Sequence, residues 1–125
     1  PHIYWGIHIT ICVNYNQHSL DQTKIRQALF NLLRNAQESI QHTHGRILFS
    51  ASVVPDGVQI TISDNGCGMT EDQIENAFRP FVTYKPGGTG LGLAVTRQII
   101  EAHQGTLCVE STPKEGTSFY IFLPG

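Results

Sequence analysis

Residues 47–63 read ILFSASVVPDGVQITIS, and this stretch decides how the chain folds. Ile47 to Val54 and Val58 to Ser63 read as two strands. Pro55-Asp56-Gly57 between them is turn chemistry, so the pair forms a β-hairpin. Upstream, Ile7, Ile9, Ile11 and Val13 alternate with His8, Thr10, Cys12 and Asn14, the period of two of a half-buried strand. Between that strand and the hairpin, Ser19 or Asp21 can cap a long helix running to about His42, which Gly45 can end. Downstream, Thr70 can cap a short helix through Phe78, and a Gly- and Pro-rich loop covers Pro80 to Gly90. Leu91 to His103 reads as a second long helix. Thr106 to Ser111 and Thr117 to Leu123 are closing strands, joined by a turn at Pro113-Lys114-Glu115-Gly116. This order of elements implies an α+β fold rather than a doubly wound one. It is a two-layer sandwich with a mixed, mainly antiparallel sheet of about five strands and three helices on one face.

The 125 residues suit one domain, and 40% of them are apolar, enough for one core. A formal charge of −2 provides no basic field for nucleic acid or an anionic membrane. No apolar run approaches the roughly 20 residues of a membrane span, and no signal peptide is visible. Cys12, Cys67 and Cys108 are odd in number and lack CxxC spacing, which argues against a disulfide framework or zinc knuckle and fits a reducing cytosol. His42 and His44 lie close together, but no cysteine or acidic residue stands at ligand spacing from them.

The long helix carries two faces. Ile25, Leu29, Leu32, Ala36 and Ile40 form an apolar stripe for the sheet. Lys24, Gln27, Asn31, Arg34, Asn35 and Glu38 form a separate polar arc, which is ordinarily a solvated surface. Asparagine is a poor mid-helix residue because its amide competes with the backbone. Two of them, four apart, could instead point their oxygens into one cleft and hold a hydrated Mg²⁺.

Two glycine motifs flank that cleft. Asp64-Asn65-Gly66-Cys67-Gly68-Met69 directly follows an apolar strand. Its glycines allow close backbone approach or positive φ, and Asp64 can accept a hydrogen bond from an exocyclic amine such as that of adenine. A plain Asp-Asn-Gly turn is the competing reading. Gly87-Gly88-Thr89-Gly90-Leu91-Gly92-Leu93 opens the second long helix, where free N–H groups and the positive end of the dipole make an anion site. It is not a P-loop, because no lysine follows Gly92. It is not a Rossmann fingerprint, because Leu93 and Val95 stand where the third glycine would be. No HRD segment supports a protein-kinase glycine loop. A flexible linker is disfavoured because helix-forming apolar residues begin at once.

Taken together, these segments resemble the ATP-binding catalytic domain of bacterial sensor histidine kinases. Asn31-Leu32-Leu33-Arg34-Asn35-Ala36 is similar to that family's N box, and the Asp64 to Met69 segment to its G1 box. Phe78-Arg79-Pro80-Phe81 is similar to the F box, and Gly88-Thr89-Gly90-Leu91-Gly92-Leu93 to the G2 box. The four occur in the family's order over nearly the whole chain. The resemblance implies an α/β sandwich with ATP held under a short lid over residues 82–89, and residues 82–90 are expected to be mobile without nucleotide. It implies that Asn35, helped by Asn31, binds Mg²⁺, that Asp64 binds the adenine amino group, and that Gly66 and Gly68 shape that wall. Phe78 and Phe81 would anchor the lid. Gly88, Thr89, Gly90, Leu91 and Gly92 would line the phosphates, and Lys85 could reach them. Arg79, Tyr84 and Gln104 depart from the commonest pattern, Gln104 standing where a glycine is frequent.

The function so implied is donation of the γ-phosphoryl group to a histidine on a separate helical hairpin, which in turn serves a response regulator. Residues 1–125 are expected to be the catalytic domain alone, cytoplasmic, without the hairpin, and unable to phosphorylate itself. The fold also serves ATPases in which a glutamate at the position of Asn31 activates water; an amide cannot act as that base. A serine kinase of the anti-sigma-factor type shares the boxes. A non-catalytic, nucleotide-gated interaction module is the alternative from another class.

Overall fold

The computed structural model describes residues 8–13, 22–80 and 92–125, the first of these segments by its backbone alone. Phe81, Lys85, Gly88, Thr89, Gly90 and Leu91, with the rest of the expected lid, lie outside the described residues. The hairpin forms as its sequence requires. β2 (Arg46–Val54) and β3 (Gly57–Asp64) pair antiparallel from Val54 opposite Gly57 to Ile47 opposite Asp64. β1 (His8–Val13) runs parallel to β2, because the helix α1 (Gln22–Ser39) provides the crossover between them. The closing strands β4 (Thr106–Thr112) and β5 (Gly116–Pro124) form a second hairpin, and β5 pairs antiparallel with β3. The sheet order is β1-β2-β3-β5-β4. Its five strands with one parallel pair make the mixed, mainly antiparallel sheet that the order of elements predicts.

Strand alternation sorts the sheet into two faces. Ile60 and Ile62 of β3 and Phe119, Ile121 and Leu123 of β5 are buried on one side. Against that side pack α1 and α3 (Gly92–Ala102), which also pack on each other. Ile25, Ala28, Leu32 and Ala36 of α1 and Ala94, Ile99 and Ile100 of α3 complete the core. Leu32 is fully buried, so truncating it to alanine costs about 2–5 kcal/mol. The short α2 (Glu71–Asn76) buries none of its own residues. It begins at Thr70 with a capping box in which Thr70 and Gln73 each satisfy the other's backbone N–H. Phe78, just beyond it, packs against the core with its ring edge-on to Phe119, 6.4 Å between centroids. No described helix is long and apolar enough to cross a membrane.

Along β3 and β5 the inner face changes character. Apolar pairs give way to Asp64 opposite Thr117, both buried. Next to them on β4, the Ser111 and Thr117 hydroxyl oxygens lie 2.7 Å apart. The core is therefore closed at this end by polar groups rather than by more hydrocarbon.

The long helix stops at Ser39, three residues short of His42. Its end is not made by Gly45. The Ser39 carbonyl accepts the N–H of Cys67 at 2.9 Å, so the loop after β3 takes up a carbonyl that the next helical turn would otherwise have used.

Candidate functional site

The polar end of the sheet is where the motifs meet. Asp64 is buried, and its Oδ1 accepts the Gly66 N–H at 2.8 Å and the Ser39 hydroxyl at 3.0 Å. Both are donors to a charged acceptor, the stronger kind of hydrogen bond. Asn65, next in the chain, is clipped to the segment after α1. Its side chain accepts from the Arg46 N–H at 2.7 Å and donates to the His44 carbonyl at 2.9 Å. His42 Nε2 lies 2.8 Å from the Asn65 carbonyl, while its Nδ1 accepts the His44 N–H at 3.1 Å. Nδ1 therefore lacks a proton and Nε2 donates. His42 is a clamp on the loop. Among the described residues, no group of three His, Cys, Asp or Glu could hold a metal ion.

Gly66 and Gly68 are glycines for reasons internal to the fold. A Cβ on Gly66 would collide with the Ser39 side chain and stand 2.5 Å from the Ser39 carbonyl oxygen. Gly68 has φ +67°, and a Cβ there would run into the Thr112 carbonyl. Gly92 differs, because a Cβ there meets no atom of the described residues within 4 Å. It is the first residue of α3, whose early N–H groups have no intrahelical acceptor.

The N box joins these two ends. Asn31 Nδ2 donates to the Gly92 carbonyl at 3.4 Å, bringing the middle of α1 to the start of α3. Asn35 lies one turn further along α1 and is half-buried, and Ser39 lies one turn beyond that, on Asp64. Asn31, Asn35 and Ser39 thus form a row at i, i+4 and i+8, about 12 Å long at 1.5 Å per residue. The row runs from a helix N-terminus at one end to a carboxylate at the other. Arg34 and Glu38, from the same polar arc, pair with each other at 3.7 Å on the surface. That part of the arc is an ordinary solvated face.

Phe78 is held from two sides, by Phe119 below and by the Arg97 guanidinium, 5.4 Å from the ring centroid. Arg97 is on α3, so the F-box aromatic links α2 to the helix that Gly92 begins.

The family model of the histidine kinase-, DNA gyrase B- and HSP90-like ATPases matches residues 20–125. The chain belongs to this family. Within it, the relatives are sensor kinases. Sporulation kinase B of Bacillus subtilis (strain 168) is 43% identical over 104 residues, 83% of this chain and 24% of that protein. The sensor histidine kinase ZraS of Escherichia coli (strain K12) is 42% identical over 104 residues, 83% of this chain and 22% of that protein. The chain thus spans about a quarter of the length of these relatives. Among solved structures, the mycobacterial sensor histidine kinase MprB superposes with a TM-score of 0.84 at 27% identity, over 96% of this chain and 84% of that one. The catalytic domain of the histidine kinase ThkA gives 0.82 at 29% identity, over 98% and 82%. The ATPase fold expected from the boxes is the fold these domains share.

Ser39 and Thr117 were not among the site residues read from the motifs. Ser39 had a usable signal, since it continues the Asn31–Asn35 row by another four residues. Thr117 had none, because only the register of β3 on β5 brings it opposite Asp64.

Proposed function

We propose that this chain binds ATP with Mg²⁺ and donates its γ-phosphoryl group to a histidine on a separate helical hairpin of a longer sensor kinase, upstream of a response regulator. The observation that carries the reading is the row on α1, which links a buried carboxylate at one end to the start of α3 at the other, where no described residue lies within 4 Å of a Cβ on Gly92. The base lies at the first end and the phosphates at the second. Asp64 accepts the exocyclic amine of adenine, on a wall made by Gly66 and Gly68. The early N–H groups of α3 meet the phosphates, with Gly92 admitting them. Gly88, Thr89, Gly90 and Leu91 are assigned to the same anions, and Lys85 and Phe81 to the lid, by the motif alone. The relative ShkA, of which this chain covers 26% at 28% identity with a TM-score of 0.77, is known in complex with AMPPNP.

The residues present suit Mg²⁺. The Asn31 amide nitrogen is engaged at Gly92, which brings its carbonyl oxygen to the phosphate end, and Asn35 adds a second neutral oxygen one turn away. Few protein oxygens and several from phosphate is the usual arrangement for this ion. When bound, Mg²⁺ supplies neutralisation of phosphate charge. Because Asn31 is an amide and cannot take a proton from water, the site favours transfer over hydrolysis. Two of the chain's own histidines are poorly suited as acceptors: His42 is bonded through both ring nitrogens, and His103 Nδ1 lies 2.8 Å from the Ile99 carbonyl.

The test is calorimetry with ATP and GTP in the presence of Mg²⁺. A site built for an amine and offered a carbonyl can discriminate by on the order of 10⁴. Asp64→Ala abolishes ATP binding while the circular dichroism spectrum is retained. Equal affinity for the two nucleotides contradicts the reading.

A further inference from the structure

We infer that Ser39 is a positioning residue for adenine, one that sets how the Asp64 carboxylate faces the base. The inference rests on the assignment of Asp64 to the exocyclic amine. Ser39 is buried at the last position of α1. Its hydroxyl carries one proton and has two acceptors in reach, the Ala36 carbonyl at 2.9 Å and Asp64 Oδ1 at 3.0 Å. The carboxylate is the stronger acceptor because it is charged, so the proton goes to Asp64. With the Gly66 N–H also on Oδ1, two donors from different segments hold one oxygen. Two bonds to one oxygen fix the carboxylate plane, and with it the direction in which the second oxygen is presented.

The surroundings hold Ser39 in place as firmly as it holds Asp64. Its carbonyl is bound by the Cys67 N–H at 2.9 Å, and its side chain lies where a Cβ on Gly66 would otherwise be. The serine is therefore the point at which the metal-binding helix and the base-binding loop are joined. A shift of α1 would be transmitted to the base through this hydroxyl. An alanine at 39 keeps the backbone bond to Cys67 and removes the hydroxyl from both Asp64 Oδ1 and the Ala36 carbonyl; a ligand without the amine then separates the orienting effect from the structural one.

The experiment measures affinity for two ligands, ATP and purine riboside triphosphate, which has the same phosphates and ring system but no exocyclic amine. Wild type, Ser39→Ala, Ser39→Cys and Asp64→Ala are compared by calorimetry with Mg²⁺, each after a thermal melt. The result expected is a loss of ATP affinity on the order of tenfold in Ser39→Ala, with the purine analogue changed less than twofold, because no amine remains to be aligned. Ser39→Cys, with a weaker donor of similar shape, falls between wild type and Ser39→Ala for ATP and stays level for the analogue. Equal losses for both ligands would assign Ser39 a merely structural role and overturn the inference, as would no loss for either. If wild type binds both ligands equally, or Asp64→Ala retains ATP affinity, the assignment of Asp64 itself fails and the inference falls with it. Failure of Ser39 alone leaves Asp64→Ala still selectively weak for ATP.

Discussion

Replacing Gly92 by alanine separates the needs of the fold from the needs of the ligand. No atom of the described residues lies within 4 Å of a Cβ built there, and the residue opens a regular helix. Alanine in a backbone it can adopt stabilises a protein by about 0.4–1 kcal/mol, chiefly by narrowing the unfolded ensemble. For a domain of this size that is a rise in melting temperature of roughly 1–5 °C. The phosphates tell against the same substitution. If they approach the first N–H groups of α3 across the bare Cα, an added methyl stands in their path. Overpacking of this kind costs about 1–3 kcal/mol, which corresponds to a roughly 5- to 150-fold loss of affinity. Thermal melts without nucleotide and calorimetry with Mg-ATP read the two effects apart, and the signature is their opposite sign. Unchanged ATP affinity refutes the phosphate assignment at α3. A lowered melting temperature refutes the claim that the fold leaves position 92 open.

Gly68→Ala should act in the contrary way, losing roughly 2–5 kcal/mol of stability from a left-handed backbone and a collision with Thr112, measurable as a fall in the urea midpoint; a midpoint within error of wild type would contradict the geometry. Gln104 sits at φ +61° in a Schellman ending of α3, where the Gly105 N–H reaches the Ile100 carbonyl at 2.8 Å and the Gln104 N–H reaches that of Glu101 at 2.9 Å. Gln104→Gly should therefore stabilise the chain by about 0.5–1 kcal/mol, strain relief exceeding the added unfolded-state entropy, and a lower melting temperature would show that no strain is stored there. Cys67 is an exposed thiol between the two glycines of the loop proposed to bind the base; bulky thiol reagents should modify it more slowly when ATP is bound, and equal rates would place it away from the nucleotide.

Much of this was legible from residue types and spacing. The hairpin was marked by Pro55-Asp56-Gly57, the start of α2 by Thr70, and the core face of α1 by a stripe whose Ile25, Leu32 and Ala36 are all buried. These are local patterns, and local physics determines them. The end of α1 was not legible, because it depends on the Cys67 N–H arriving from a segment 28 residues away. The meaning of each glycine was hidden for the same reason. Gly66, Gly68 and Gly92 look alike in sequence, yet two are crowded by Ser39 and Thr112 and the third is crowded by none of the described residues. Ser39 continues the Asn31–Asn35 row in sequence, but only the position of Asp64 across the fold gives its hydroxyl a role.

That this chain is the donor half of a phosphotransfer reaction can be tested with γ-labelled ATP and Mg²⁺. The 125-residue chain is incubated alone, with the helical hairpin of its own full-length kinase added as a separate polypeptide, and again with the hairpin but carrying Asn35→Ala. Label is followed under alkaline conditions that preserve phosphohistidine. No label is expected on the chain alone, label is expected on the hairpin when both are present, and that label is lost with Asn35→Ala. Efficient labelling of the chain by itself, or transfer that survives Asn35→Ala undiminished, would contradict it.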